Sequence, residues 1–300
     1  MESGNGSKMK IAFLGLGAIG APMAAHLASD PFALTVWNRT RDKAVAFAEE
    51  HKVVAAGSAR DAVAGADFVI TCLPSSREVN QLLSDIEESI PNGAMLIDCT
   101  SGDPATSRDI AARLEKRGVA FIDAPVSGGV KGAVAGTLTI MCGGKKENVQ
   151  RAMPVLQTFG KKIVRCGDVG AGDAVKAMNQ ALLAIHIWSG GEALAALAKL
   201  GVKSSVALDV INGSSGRSNS SENLFPERVL GRKYPRTFKL ALLDKDVGIA
   251  KQIVDEEDLE SPFIELASRL FNEAHAELGE EADHVEAVRV IEKRAEVRIS

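Results

Sequence analysis

The chain has 300 residues, 46% hydrophobic and 25% charged, with a formal net charge of −4. That length and balance belong to an ordinary soluble globular chain of two domains or one large one. The acidic balance and the lack of any long Lys/Arg block exclude nucleic acid and anionic membranes as expected partners, and no uninterrupted apolar run reaches the ~20 residues of a membrane span. Met1 to Lys8 are polar and glycine-rich, without the apolar core of a secretory signal or the arginines of a transit peptide, so a cytoplasmic location is expected, with a processed organellar form left open.

Lys10–Leu14 is an apolar run of strand character that stops at Gly15. Gly15, Gly17 and Gly20 stand in G-x-G-x-x-G spacing around Leu16, Ala18 and Ile19, and a helical pattern over Pro22–Ala28 follows at once. Strand, tight turn and helix in that order form the context a dinucleotide fingerprint requires. Gly15 permits the turn, Gly17 lets the backbone approach a pyrophosphate, Gly20 lets the helix pack on the strand, and the helix N-terminus offers N–H groups to phosphate. Leu34–Trp37 reads as the next strand. It ends in Asn38-Arg39-Thr40, the position from which an acid would hold the ribose 2′-hydroxyl of NAD. A neutral Asn followed by a guanidinium and a hydroxyl fits a 2′-phosphate instead. NADP is therefore expected, with NAD possible. Thr40 is expected to cap the helix Asp42–Glu50.

The alternation continues with strands at Phe68–Leu73, Met95–Cys99 and Ala120–Ile122, and helices at Arg77–Leu83 and Pro104–Lys116, the latter opened by Asp103. Leu73-Pro74-Ser75 and Thr100-Ser101-Gly102 end strands of this set, where parallel sheets line their ligand crevice. After Ala120–Ile122 comes Asp123-Ala-Pro-Val-Ser127-Gly128-Gly129, whose hydroxyl and bare N–H groups suit a carboxylate. Strands at Thr137–Cys142 and Lys162–Cys166 flank a helix at Lys146–Leu156. The prediction is an α/β chain: a doubly wound parallel sheet over residues 1–168, followed by an all-helical domain over 169–300.

The second half opens with Gly170-Ala-Gly172-Asp-Ala-Val-Lys176-Ala-Met-Asn179-Gln180. Lys176, Asn179 and Gln180 share a helix face by their i, i+3, i+4 spacing, and an ammonium in so apolar a helix is costly without a role or partner. The helix runs from Asp173 to Leu200, closes at Gly201, and is apolar around most of its circumference. It is expected to be a spine buried on all sides, packed in its own domain or against a second subunit. His186 within it reads as a core histidine, and His26, His51, His275 and His284 as surface or helix-face residues. Further helices are expected at Ser205–Ile211, Asp244–Val254, Pro262–Leu278 and Ala282–Arg294, with a polar loop at Gly213–Asn223. Cys72, Cys99, Cys142 and Cys166 lack C-x-x-C spacing and read as small buried hydrophobes. No set of residues has metal-ligand spacing.

Taken together, the glycine motif, the D-x-P-V-S-G-G stretch at Asp123–Gly129, the G-x-G-x-x-x-K-x-x-N stretch at Gly170–Asn179 and the late Lys245-Asp246 pair resemble the β-hydroxyacid dehydrogenase family over nearly the whole chain. This family includes 3-hydroxyisobutyrate dehydrogenase and the tartronate semialdehyde and glyoxylate/succinic semialdehyde reductases. The resemblance implies Lys176 as catalytic acid/base. It implies Ser127, Gly128 and Gly129 on the substrate carboxylate, and Asn179, Gln180, Phe238 and Asp246 around the substrate. Leu73, Pro74, Ser101 and Lys245 would lie along the nicotinamide cofactor. Gln180 departs from the second Asn that many members carry. The resemblance further implies a small carboxylate-bearing aldehyde or hydroxy acid as substrate and a homodimer or homotetramer. An imine reductase shares the architecture but often replaces the lysine. A catalytically dead binding protein should have lost Lys176, Ser127 or a motif glycine.

Overall fold

In the computed structural model, residues 8–299 are described. The chain divides into two compact units, Met1–Lys176 and Ala177–Ser300. The first is built on nine strands: β1 (Met9–Leu14), β2 (Phe32–Trp37), β3 (Val54–Ala55), β4 (Phe68–Thr71), β5 (Met95–Asp98), β6 (Ala120–Asp123), β7 (Val126–Ser127), β8 (Leu138–Gly143) and β9 (Gly160–Gly167). Their spatial order begins β3-β2-β1-β4-β5-β6, all parallel, then continues antiparallel through β8 to β7, with β9 parallel to β8. The order reverses between β1 and β4, which places the ligand crevice outside the carboxyl ends of those strands.

The helices α1 (Gly20–Ala25), α2 (Arg41–His51), α3 (Ala59–Val63), α4 (Ser76–Ile86), α5 (Pro104–Glu115), α6 (Gly129–Ala135) and α7 (Lys146–Leu156) cover the two faces of this sheet. Alternation along β1 shows why both are needed. Ile11 and Phe13 enter one core with Met23, Phe47 and Leu156; Ala12 and Leu14 enter another with Val79, Leu83 and Leu114. Asp103 caps α5 by accepting from Thr106 N at 2.8 Å. Thr40 sits at the N-cap of α2 in extended conformation, but its side chain makes no capping bond, contrary to expectation. The short β3, β7, α3 and α6 carry too few residues for a periodic signal and were not foreseen.

The second unit is helical: α8 (Ala171–Lys199), which begins in the first unit, then α9 (Ser204–Asn212), α10 (Leu240–Glu256), α11 (Pro262–Leu278) and α12 (Ala287–Ala295). Leu194, Phe225, Leu243, Phe271 and Val288 lie in its core. The expected break at 168/169 precedes α8, whereas the compact units part after Lys176. The first turn of α8 is bound to the sheet by side-chain bonds from Asp123 and Asp173. Helix α8 ends in paired bonds, Val202 N to Leu197 O and Gly201 N to Ala198 O, with Gly201 at φ +79°.

The structure departs from several expectations here. Within the single chain one face of helix α8 is uncovered: Val175, Leu182 and His186 are exposed, which leaves the second-subunit alternative for that face and means that His186 is not a core histidine of this chain, while His284, expected at the surface, is buried. The reason is periodic, because residues 175, 182 and 186 fall on one face of the helix. The supposed loop at Gly213–Asn223 is only partly one, since a π-helical segment covers Ser220–Leu230 and buries Ser220, Phe225 and Val229.

Candidate active site

The turn after β1 is shaped by exclusion. Gly15 takes φ +108°, and a Cβ there would lie 2.4 Å from the Cys72 carbonyl oxygen; one on Gly20 would lie 2.1 Å from the Gly15 carbonyl oxygen. Gly17, by contrast, is exposed and has no neighbour within 4 Å of a Cβ position. That leaves Gly17–Ile19 open as a backbone cradle, and no side chain caps α1 at Ile19. These features fit a dinucleotide pyrophosphate.

Asn38 closes β2 and is half-buried. Its Oδ1 accepts from Leu16 N at 2.9 Å and its Nδ2 donates to Thr40 O at 3.0 Å. The carboxamide therefore ties the glycine turn to the β2 end, leaving Arg39 and Thr40 exposed. A cleft of about 540 Å³ opens there, lined among others by Asn38, Arg39, Arg41, Ser58 and Arg60. Its one acid is Asp85, whose backbone carbonyl accepts from Arg60 Nε at 2.7 Å. Three guanidinium groups at one cleft suit an anion. Arg41 could have been found by adjacency to Arg39. Arg60 could not, because it arrives on the unforeseen α3.

The next strand ends are stitched together. Leu73 N donates to Thr100 Oγ1 at 3.1 Å, and Asp98 Oδ1 accepts from Thr71 Oγ1 at 2.8 Å and Thr100 N at 3.0 Å. Burial raises Asp98 to about 6 despite these donors. Pro74 is exposed, whereas Leu73 and Ser101 are half-buried. Burial also raises Cys72 and Cys142 to about 12 and Cys99 well above its usual value, so these thiols stay protonated near neutrality.

Ser127 pairs with Thr139 across β7 and β8, half-buried, and Gly128 and Gly129 follow it exposed, at φ +138° and +61°. Asp123, wholly buried at the end of β6, accepts from Gly170 N at 2.8 Å and Asp173 N at 3.0 Å. It anchors the start of α8 to the sheet. Lys176 follows on that helix, only 8% exposed.

The remaining predicted residues lie in the helical unit. Gln180, buried, donates from Nε2 to Asp246 Oδ2 at 3.0 Å, and Asp246 Oδ1 pairs with Lys245 Nζ at 2.9 Å. Asn179 is exposed and donates from Nδ2 to Gln180 Oε1 at 3.2 Å. Phe238 is half-buried, with the His284 ring edge-on at 5.2 Å and its carbonyl accepting from His284 N at 3.0 Å. The structure thus joins Asn179, Gln180, Asp246 and Lys245 in one polar chain and sets Phe238 apart from it on His284. The contact of His284 with Phe238 has no sequence signal, because the two residues are 46 positions apart.

Comparison with known proteins gives these sites a context. Residues 10–167 match the family model of the NAD-binding domain of 6-phosphogluconate dehydrogenase. Residues 170–291 match that described as NAD-binding of NADP-dependent 3-hydroxyisobutyrate dehydrogenase. The chain is 36% identical to the NAD-dependent L-serine dehydrogenase of Pseudomonas aeruginosa over 87% of its own length and 91% of the relative's. It is 37% identical to the 3-hydroxyisobutyrate dehydrogenase of the same organism over 91% and 94%. A solved Mycobacterium tuberculosis 3-hydroxyisobutyrate dehydrogenase with L-serine superposes with a TM-score of 0.88 at 32% identity, covering 95% of this chain and 99% of that one. With its glycine cradle, its D-x-P-V-S-G-G turn and its helix-borne lysine, the chain belongs to the β-hydroxyacid dehydrogenase family of NAD(P)-dependent oxidoreductases acting on CH–OH groups.

Proposed function

We propose that this chain is an NADP-preferring dehydrogenase of small 3-hydroxy acids and their semialdehydes, with Lys176 as general acid/base. The observation that carries the reading is Lys176 itself, buried on a helix whose start is pinned by Asp123 beside the Ser127–Gly129 turn. A nicotinamide cofactor held along the Gly15–Gly20 turn would supply the hydride-transfer chemistry. In reduction, Lys176 Nζ donates a proton to the oxygen on which charge develops. In oxidation, the amine takes the hydroxyl proton. The Ser127 hydroxyl and the N–H groups of Gly128 and Gly129 bind the substrate carboxylate, and Gln180, held by Asp246, orients the hydroxyl-bearing carbon with Asn179.

The substrate class draws support from the names of the relatives. L-serine, 3-hydroxyisobutyrate and the 2-(hydroxymethyl)glutarate of the Eubacterium barkeri enzyme share a primary alcohol, CH2OH, attached to the carbon that bears the carboxylate, and differ in the third group on that carbon. The NADP preference rests on the Arg39, Arg41 and Arg60 cleft. It also favours a second reading in which the chain works as a reductase of glyoxylate or succinic semialdehyde. Initial rates decide between them: the three hydroxy acids with NADP and NAD, against the two aldehydes with NADPH and NADH. Turnover of none, with cofactor bound, would overturn both.

The helical unit carries Asn179, Gln180 and Asp246, and with them a proposed surface for self-association. Leu182, Leu200, Val206 and Val210 are exposed apolar residues on α8, its end and α9, and a second copy of the chain is their proposed cover.

A further inference from the structure

The carboxyl of Asp173 has no part in the chemistry above, yet it is 1% exposed in the first turn of α8. Its Oδ1 accepts from Gly102 N at 3.2 Å, and its Oδ2 lies 2.6 Å from the Ser107 hydroxyl in α5. The same loop is held once more, one residue on, where Asp103 N donates to Ser76 Oγ at 2.7 Å. Gly102 leaves room that a larger residue would take from these side chains. A Cβ there would lie 2.8 Å from Ser76 Oγ and 3.3 Å from both Asp173 oxygens. The backbone of Asp173 is fixed in turn, its N–H donating to Asp123 Oδ2 at 3.0 Å. One side chain thus ties the end of β5 to a helix already anchored at the end of β6.

We propose that Asp173 is a positioning residue, whose carboxyl locks the Ser101–Gly102 turn and α5 to the first turn of the helix that presents Lys176. The inference rests on the reading of Lys176 as acid/base and of Ser101 as a neighbour of the nicotinamide. The turn that orients the cofactor and the helix that delivers the proton must hold a fixed relation. A displacement of about 1 Å between such groups is enough to cost 100-fold in rate. Asp173 supplies a rigid link between them because it is buried and engaged at both oxygens. Burial, reinforced by the Asp123 carboxylate, raises its pKa well above the usual range. A neutral carboxamide of the same shape should therefore serve in its place, with Oδ1 accepting from Gly102 and Nδ2 donating to Ser107.

The test compares D173A, D173N, S107A and the D173A/S107A double variant of the full chain, on steady-state rates and on the fluorescence of bound NADPH, titrated without substrate. The expected result for D173A is a kcat at least 10-fold lower with little change in substrate KM, together with an altered emission of the bound nicotinamide. D173N should recover to within about threefold of wild type. S107A should fall in between, and the double variant should match D173A, because the two groups act through one bond. Unchanged kcat and emission in D173A would overturn the proposal. So would a D173N variant as impaired as D173A, since that would make charge rather than geometry the cause. If D173A does not fold, S107A decides, a normal kcat and emission there counting against the proposal. A wild-type protein that binds NADPH but turns over no hydroxy acid would refute the substrate reading while the fluorescence arm still tests Asp173.

Discussion

The backbone N–H of Leu16 donates to Asn38 Oδ1 at 2.9 Å, so the residue that ends β2 also braces the glycine turn that ends β1. In this position a carboxylate could accept the same bond and also hold a ribose hydroxyl. Here the amide spends its other end on the Thr40 carbonyl, and the charge at the cleft comes from arginines. Arg39→Ala is expected to weaken NADPH binding 10- to 100-fold, the loss of roughly 1.5–3 kcal/mol for charge-assisted bonds, with NADH binding little changed. Asn38→Asp is expected to shift preference toward NADH. Parallel fluorescence titrations with the two cofactors measure both, and an Arg39→Ala variant that keeps its NADPH affinity refutes the assignment.

Lys176→Ala is expected to lower kcat by roughly 10²–10⁴-fold, the usual worth of a positioned acid/base, while the Kd for NADPH stays within a few-fold of wild type. A variant with near-normal turnover would place the proton transfer elsewhere.

Asn179 and Gln180 are predicted to separate by stability. Gln180→Ala leaves the buried Asp246 Oδ2 without its donor, at a cost of about 1–3 kcal/mol, and should lower the unfolding midpoint as well as activity. Asn179→Ala, at an exposed position, should raise substrate KM with little loss of stability. Urea denaturation beside steady-state kinetics distinguishes the two, and equal destabilisation would count against the division.

The buried Asp98 gives the fold a pH dependence of known sign. Burial raises its folded-state value to about 6, above the ordinary 3.8 of an aspartate, so between these values the folded chain holds a proton that the unfolded chain releases. Stability from this group is present at low pH and is lost as pH rises through 6. A shift of about two pH units corresponds to at most about 3 kcal/mol. Asp98→Asn keeps an oxygen for Thr71 and Thr100 and removes the titration. Urea unfolding near pH 4 and near pH 7.5 should then show the variant gaining on wild type as pH rises. An unchanged difference between the two conditions would mean that Asp98 titrates normally.

Self-association through these exposed apolar residues of α8 and α9 should be visible in solution. Wild type is expected to sediment as a homodimer or homotetramer, and Leu182→Asp combined with Val206→Asp to shift it toward monomer. A wild-type protein that stays monomeric at micromolar concentration removes the interface.

By itself the sequence determined the succession of strands and helices and the chemistry of each turn. A parallel strand buried on both faces is a continuous apolar run, and β1, β4 and β5 stand where such runs stand. G-x-G-x-x-G, Ser127-Gly128-Gly129 and the lysine helix are local patterns too, legible because each is written within a short stretch of chain. What crosses the chain was decided only by tertiary structure. Arg60 reaches the Arg39 cleft on a helix of five residues, too short for a periodic signal. His284 meets Phe238 46 positions away, and Asp173 meets Gly102 71 positions away. Neither pair has a spacing to betray it. The exposure of one face of α8 has the same origin. The apolar content of a helix is written in its residues, but which face is covered depends on the elements packed against it.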